Sequence, residues 1–63
     1  MRYKIVVIKL KNDQEKTVLL PDSYSLSEAF YWQAFVDTSN KKMWINQDHV
    51  LFMKEQGTVE KDW

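Results

Sequence analysis

Apolar residues in this chain occur in short runs that are separated by polar, turn-favouring segments. The first run lies within Arg2–Lys11 and is rich in β-branched residues, which favours a strand. Asn12–Glu15 favours a turn, and Lys16–Leu20 predicts a second strand, which ends where Pro21 removes a backbone donor. The sequence therefore predicts that the chain starts with an antiparallel hairpin.

A short helix is predicted after the hairpin. Ser25 and Glu28 stand three positions apart, as in a capping box in which Ser25 is the N-cap and Glu28 reaches back to it. The residues that follow at the spacing of one helical face are Leu26, Ala29 and Phe30. The predicted helix spans Leu26–Gln33, and Phe30–Val36 is aromatic and β-branched enough to form a strand instead.

Three further strands are predicted in the second half of the chain. Ala34–Asp37 and Lys42–Asn46 form a pair around the turn-favouring Thr38–Lys41, and His49–Lys54 is a second continuous apolar run. Residues 1–56 are thus interpreted as one α+β domain, and 57–63, which starts at Gly57, as a polar tail that is mobile except for its terminal Trp63. The predicted architecture is a small antiparallel sheet of two strands, one short helix and three strands, which can curl toward an SH3-like half-barrel.

Two predicted strands carry apolar residues on both faces, which is typical of central strands that are buried on both sides. They are Ile5–Ile8 and Val50–Met53, and we expect both at the centre of the sheet. Alternation along the first strand places these residues on one face: Val6, Ile8 and Leu10. The opposite face receives Tyr3, Ile5 and Val7. In the last strand, alternation places Val50 and Phe52 on one face. His49, Leu51 and Met53 are then on the opposite face.

One helix of eight residues is about 12 Å long and cannot cover both faces of such a sheet. Either the sheet closes into a small barrel, or its second face meets another molecule, because large exposed apolar patches mark interaction sites. The second alternative predicts a non-catalytic, accessory or regulatory protein-interaction module. It would self-associate as a homodimer through the apolar sheet face or dock on a different protein.

Large aromatic side chains that the predicted core cannot all absorb are candidates for partner contacts. They are Tyr31, Trp32, Trp44 and Trp63. Three consecutive helical residues sweep about 200°, so Phe30, Tyr31 and Trp32 cannot all face one core. Trp44 points away from Met43 and Ile45 on a strand, so it is exposed if those two are core residues. The alternative to a partner contact is a structural role, in which aromatic residues at the boundary of the core cover its edges.

Composition argues against an enzyme and against resident cofactors or metals. The chain has no Cys, one His and one Gly, so it lacks thiolate sites, an all-imidazole site and a phosphate-binding glycine loop. His49 follows Asp48, but neighbouring strand residues point to opposite faces, so this pair does not make an oriented base. The remaining carboxylates are scattered over predicted turns and caps.

A second hypothesis is that the chain binds single-stranded nucleic acid, in which bases stack on aromatic rings beside a basic groove. The residues proposed for this role are Arg2, Lys4, Lys41, Lys42 and Trp44. The balance of nine basic and nine acidic residues gives a net charge of zero and places this hypothesis second.

No segment approaches the ~20 apolar residues that cross a bilayer, so no membrane association is expected. The N-terminus resembles the start of a signal peptide, but Lys9 and Lys11 interrupt the apolar run. A cytoplasmic location is the resulting expectation.

Overall fold

The β-branched run at the N-terminus forms the central strand of the sheet. In the computed structural model, which describes residues 1–63, β1 (Arg2–Leu10) lies between β2 (Glu15–Pro21) and β3 (Val50–Glu60), and both pairs are antiparallel. The other regular elements are α1 (Leu26–Trp32) and a 3₁₀ helix at Gln47–His49. The α+β class is confirmed. The sheet has three strands rather than the five predicted, and it is open, since β2 and β3 are its two edges.

The core lies on one face of this sheet. Pairing of Val6 with Val18 and of Lys4 with Leu20 aligns the inward residues of β1 and β2. The fully buried cluster consists of Val6, Ile8, Val18, Leu20, Ala29 and Phe35. Half-buried Leu26 and Phe30 pack against it from α1, as the helical spacing predicted. We call this side of the sheet the core face.

Capping defines both ends of α1. The Ser25 hydroxyl accepts from the Glu28 backbone N–H (3.3 Å), and the Glu28 carboxylate accepts from the Ser25 backbone N–H (3.1 Å), so the predicted capping box is confirmed. The bond from the Ser25 backbone lowers the pKa of Glu28 most, followed by a bond that the Ser25 hydroxyl donates to the same carboxylate (2.9 Å). The helix ends at Trp32, because Gln33 adopts the left-handed conformation (φ 48°) of a C-terminal cap. The strand alternative for Phe30–Val36 is wrong as far as Trp32.

The two strands predicted at Ala34–Asp37 and Lys42–Asn46 do not form. Only single bridges exist, from Val36 to Leu19 of β2 and from Val36 to Lys42. The Asp37 carboxylate accepts from the backbone N–H groups of Lys41 (2.9 Å) and Ser39 (2.8 Å), which closes the turn and lowers the pKa of Asp37. A tight loop thus replaces the predicted pair, held by the Asp37 carboxylate and by backbone bonds from Asp37 to Lys41 (2.9 Å) and from Met43 to Phe35 (3.1 Å).

After this turn, the backbone of Ile45 forms hydrogen bonds with the side chain of Gln33 and not with a neighbouring strand. The Gln33 side-chain amide donates to the Ile45 carbonyl (3.2 Å), and its oxygen accepts from the Ile45 N–H (3.0 Å). The same amide donates to the Phe30 carbonyl (3.0 Å) near the end of α1. Gln33 therefore satisfies the polar groups of Ile45, which a neighbouring strand would otherwise satisfy.

β3 differs from the predicted last strand in position, length and face. It is an edge strand, not a central one, and it runs beyond residue 56, through Gly57 to Glu60. Leu51 is an extra residue between the pairs Lys9–Phe52 and Leu10–Val50, and such a bulge changes which side chains share a face. Phe52 therefore lies on the face opposite Val50, which corrects the predicted pairing of these two residues.

Gly57 follows a second bulge, at Gln56, and its φ of 152° is one that residues with a Cβ rarely adopt. Nothing lies within 4 Å of a Cβ built there, so any cost of substitution comes from the backbone. We expect Gly57→Ala to lower the free energy of unfolding by about 1–3 kcal/mol, measured by urea denaturation. Gln56→Ala, at the exposed neighbouring position, is the control. Equal stability of Gly57→Ala and the wild type would contradict this backbone requirement.

Candidate interaction surfaces

The sheet face opposite the core, which we call the outer face, carries a second set of apolar residues. Strand register places them in adjacent rows: Tyr3, Ile5 and Val7 of β1, Leu19 of β2, and Phe52 and Val59 of β3. The prediction that β1 has two apolar faces is therefore confirmed. The helix lies on the core face, so the outer face depends on other parts of the chain for cover.

Trp63 covers one end of the outer face. Its ring lies 5.2 Å from the ring of Tyr3, centroid to centroid, and Tyr3 is only 5% exposed. The Lys61 N–H donates to the Met1 carbonyl (2.9 Å), which extends the antiparallel pairing beyond β3 and directs Trp63 back over the sheet. Residues 57–63 are thus held to β1 by backbone bonds and by this aromatic pair.

The other end of the outer face is open. Phe52 is 51% exposed and pairs with Lys9 in the register, while Leu51, at the bulge, is 57% exposed. Ile5 and Val7 between the two ends are half-buried. Gly57, opposite Ile5, contributes no side chain to cover it. Ile5, Val7 and Phe52 therefore form an apolar stretch that reaches solvent at Phe52 and is flanked on the same face by Lys9 and Lys54.

The predicted contact aromatics occupy different parts of the surface. Tyr31 is 79% exposed and packs edge-on against Trp32, with ring centroids 4.8 Å apart. Trp32 lines the same groove as Lys42, and the Lys42 ammonium lies 5.0 Å from the centre of the exposed Trp44 ring. Met43 and Ile45 pack on the core, so the conditional prediction of an exposed Trp44 is confirmed. Trp63, on the outer face, lies apart from these three.

The basic residues predicted to bind nucleic acid do not form one patch. The Lys4 ammonium donates to the Tyr24 carbonyl (2.6 Å) and lies 3.7 Å from the Glu55 carboxylate. Arg2 donates to the Thr58 hydroxyl (3.3 Å) at the same end of the sheet. Lys42 is separated from β1 by Val36 and Leu19, and Lys41, next to it, is also exposed. Arg2 and Lys4 on β1 are therefore apart from Lys41 and Lys42, which lie in the loop after α1.

Sequence patterns did not identify Phe52 or Leu51 as candidate surface residues, because they stand in a continuous apolar run that is typical of a buried strand. The edge position of β3 and its bulge at Leu51 expose them instead. His49, which the sequence placed in this strand, ends the 3₁₀ helix, and the Asn46 side chain accepts from the Asp48 N–H (3.0 Å) at its start.

Comparisons with known proteins found no matching family model, no matching curated protein and no matching solved structure. No three His, Cys, Asp or Glu side chains are grouped so that they could hold a metal ion. The only α-helix, α1, has seven residues, and no helix has the length and apolar character needed to span a bilayer.

Trp63 is expected to stabilise the fold, because it removes the Tyr3 ring from water. Trp63→Ala should lower the free energy of unfolding by about 1–2 kcal/mol, from lost apolar burial and a lost aromatic pair. Trp44→Ala, which truncates an exposed indole, is the matched control and should change it by less than about 0.5 kcal/mol. Urea denaturation monitored by circular dichroism measures both, and equal losses would contradict the assigned role of Trp63.

Proposed function

We propose that this chain is a non-catalytic protein-interaction module that self-associates through the open end of the outer face. The observation that carries the proposal is that the apolar row of half-buried Ile5 and Val7 ends at Phe52, whose side chain is 51% exposed. Burying a fully exposed Phe side chain contributes roughly 1.5–3 kcal/mol, and Phe52, which is 51% exposed, has about half of this gain available on association. A partner that covers it removes Phe52 from water without disturbing the core on the other face.

A second copy of the chain suits this surface because of its charge and its limited core. Nine acidic and nine basic residues leave no net charge, so two copies do not repel one another overall. Only eight of 63 residues are buried, and chains of this size commonly gain stability by oligomerisation. A two-fold contact would bring the open ends of two outer faces together.

Phe52→Ser should weaken the dimer by about tenfold or more, since it removes the largest exposed apolar side chain of the open end. Tyr31→Ser is the matched control, because Tyr31 is a more exposed aromatic residue on α1. Sedimentation velocity at increasing concentration measures the monomer–dimer equilibrium of each protein. We expect the wild type and Tyr31→Ser to form dimers at high micromolar concentration and Phe52→Ser to remain mostly monomeric.

Two outcomes would contradict this proposal. A wild-type chain that stays monomeric at high micromolar concentration would exclude self-association as described. A Tyr31→Ser variant that dissociates as readily as Phe52→Ser would place the contact at the end of α1 instead. Circular dichroism of each variant checks that a lost dimer does not result from a lost fold.

A second candidate function is binding of single-stranded nucleic acid, and one observation favours it. The exposed Trp44 ring and the Lys42 ammonium stand together, as required for base stacking beside a phosphate contact. This function predicts that an oligonucleotide quenches tryptophan fluorescence and that its affinity falls steeply as salt rises. Trp44→Ala should abolish most of the quenching, and no quenching by a mixed-sequence oligonucleotide at low salt would eliminate this candidate.

A further inference from the structure

A cavity lies at the hairpin end of the core face, away from the outer face. It has a volume of about 240 Å³ and is lined mainly by apolar side chains. Ile8 forms its buried part, Met43 and Ile45 stand opposite, and Trp44 lies at the exposed rim. Lys16 of β2 shares the core face with Ile8, its register partner.

Hydrogen bonds fix the walls of this cavity. The two bonds between the Gln33 side chain and the Ile45 backbone hold the wall that carries Met43, Trp44 and Ile45. On the other side, the Lys11 N–H donates to the His49 carbonyl (2.9 Å), which ties the 3₁₀ helix to the end of β1. Both walls are therefore anchored by groups other than the cavity side chains themselves, and ligand sites are usually preformed in this way.

The volume of the cavity limits the size of its ligand. Drug-sized ligands occupy pockets of about 300–1,000 Å³, whereas a cavity of about 150 Å³ lined by aliphatic and aromatic side chains holds benzene. A volume of 240 Å³ therefore fits one ring with a small substituent. Apolar walls favour a hydrocarbon ring over a sugar or another polyol, whose hydroxyl groups would lose water without finding partners.

The charge of the lining selects the substituent. Lys16 is the only lining residue with a permanent charge, no Asp or Glu contributes to the cavity, and Lys16 takes part in none of the three ion pairs of the chain. An adjoining depression shares Leu10 and His49 with the cavity and adds Lys11, which is also outside these ion pairs. Unpaired ammonium groups beside an apolar cavity attract a carboxylate.

We propose that this cavity binds small monocyclic carboxylates, with the ring between Ile8 and Ile45 and the carboxylate at Lys16. The proposal is independent of self-association, because the cavity and the outer face are on opposite sides of the sheet. Benzoate is the probe, benzamide its neutral analogue, and acetate a carboxylate without the ring.

Nuclear magnetic resonance of the full ¹⁵N-labelled chain provides a site-specific readout through the indole N–H signals of its three tryptophans. Benzoate should shift the Trp44 signal saturably, with a Kd of about 1–10 mM for a ligand of this size. Trp32 and Trp63 lie elsewhere and are internal controls. Benzamide should bind about threefold to fivefold more weakly, as expected for one solvent-exposed ionic contact, and acetate should cause no saturable shift.

Lys16→Gln tests the assigned ionic contact. This variant should bind benzoate and benzamide equally, with the affinity that the wild type has for benzamide. Lys54→Gln, which also removes a strand lysine that forms no ion pair, is the matched control and should bind benzoate like the wild type. The comparison of benzoate with benzamide uses the wild type alone, so it stays informative if a variant is unstable.

Four results would overturn the proposal. These are the absence of a saturable Trp44 shift at 20 mM benzoate (about twice the weakest expected Kd), equal affinities for benzoate and benzamide, equal shifts of all three indole signals, and an unchanged preference in Lys16→Gln. The second and fourth results reject the carboxylate contact, whereas the first and third reject the cavity as a binding site.

Discussion

The structure depends on one constraint, which is that β1 is apolar on both faces and must be covered twice. A 63-residue chain has one short helix to offer, and the helix covers the core face together with Phe35 and the residues around it. Because hydrophobic burial is the main favourable term in folding, the largest fully buried side chains of the chain lie there. The outer face is covered by other parts of the chain. At one end, the ring of Trp63 packs against the ring of Tyr3.

This distribution of cover explains why residues 34–46 form a loop instead of two strands. The chain pairs with the free edge of β2 only between Leu19 and Val36, and a full strand there would lengthen the outer face, whose Phe52 end is open. The loop instead turns Met43 and Ile45 toward the core face, where they pack as partly buried residues. Gln33 makes this arrangement possible, because its side-chain amide satisfies the backbone of Ile45 as a strand would. The Gln33 side chain thus makes the two hydrogen bonds that a neighbouring strand would make to Ile45, and it adds no apolar surface to the outer face.

The features that sequence patterns could predict are those that depend on near neighbours in the chain. The hairpin, the capping box of α1 and the two-faced character of β1 follow from β-branched runs, turn residues and a three-residue spacing. The pairing of β3 with β1 at the sheet edge, the bulge at Leu51 and the clamp by Gln33 depend on contacts between distant residues. A bulge changes which side chains share a face, so alternation alone wrongly placed Phe52 on the same face as Val50. The sequence therefore predicted that one sheet face is apolar and in need of cover, but it did not predict which residues form the open end of that face.

The total accessible surface area of the chain bears on the kind of self-association proposed for this face. Its accessible area of 4344 Å² matches the roughly 4,300 Å² expected for a compact monomer of 7.6 kDa. The area of one copy is therefore that of a compact folded chain, whereas the separated subunit of an obligate dimer exposes part of its core. Trp63 further restricts the open apolar surface to the end of the outer face that carries Phe52. The self-association proposed above would then be reversible and concentration-dependent, since its driving force would come from a few side chains of a chain that is already folded.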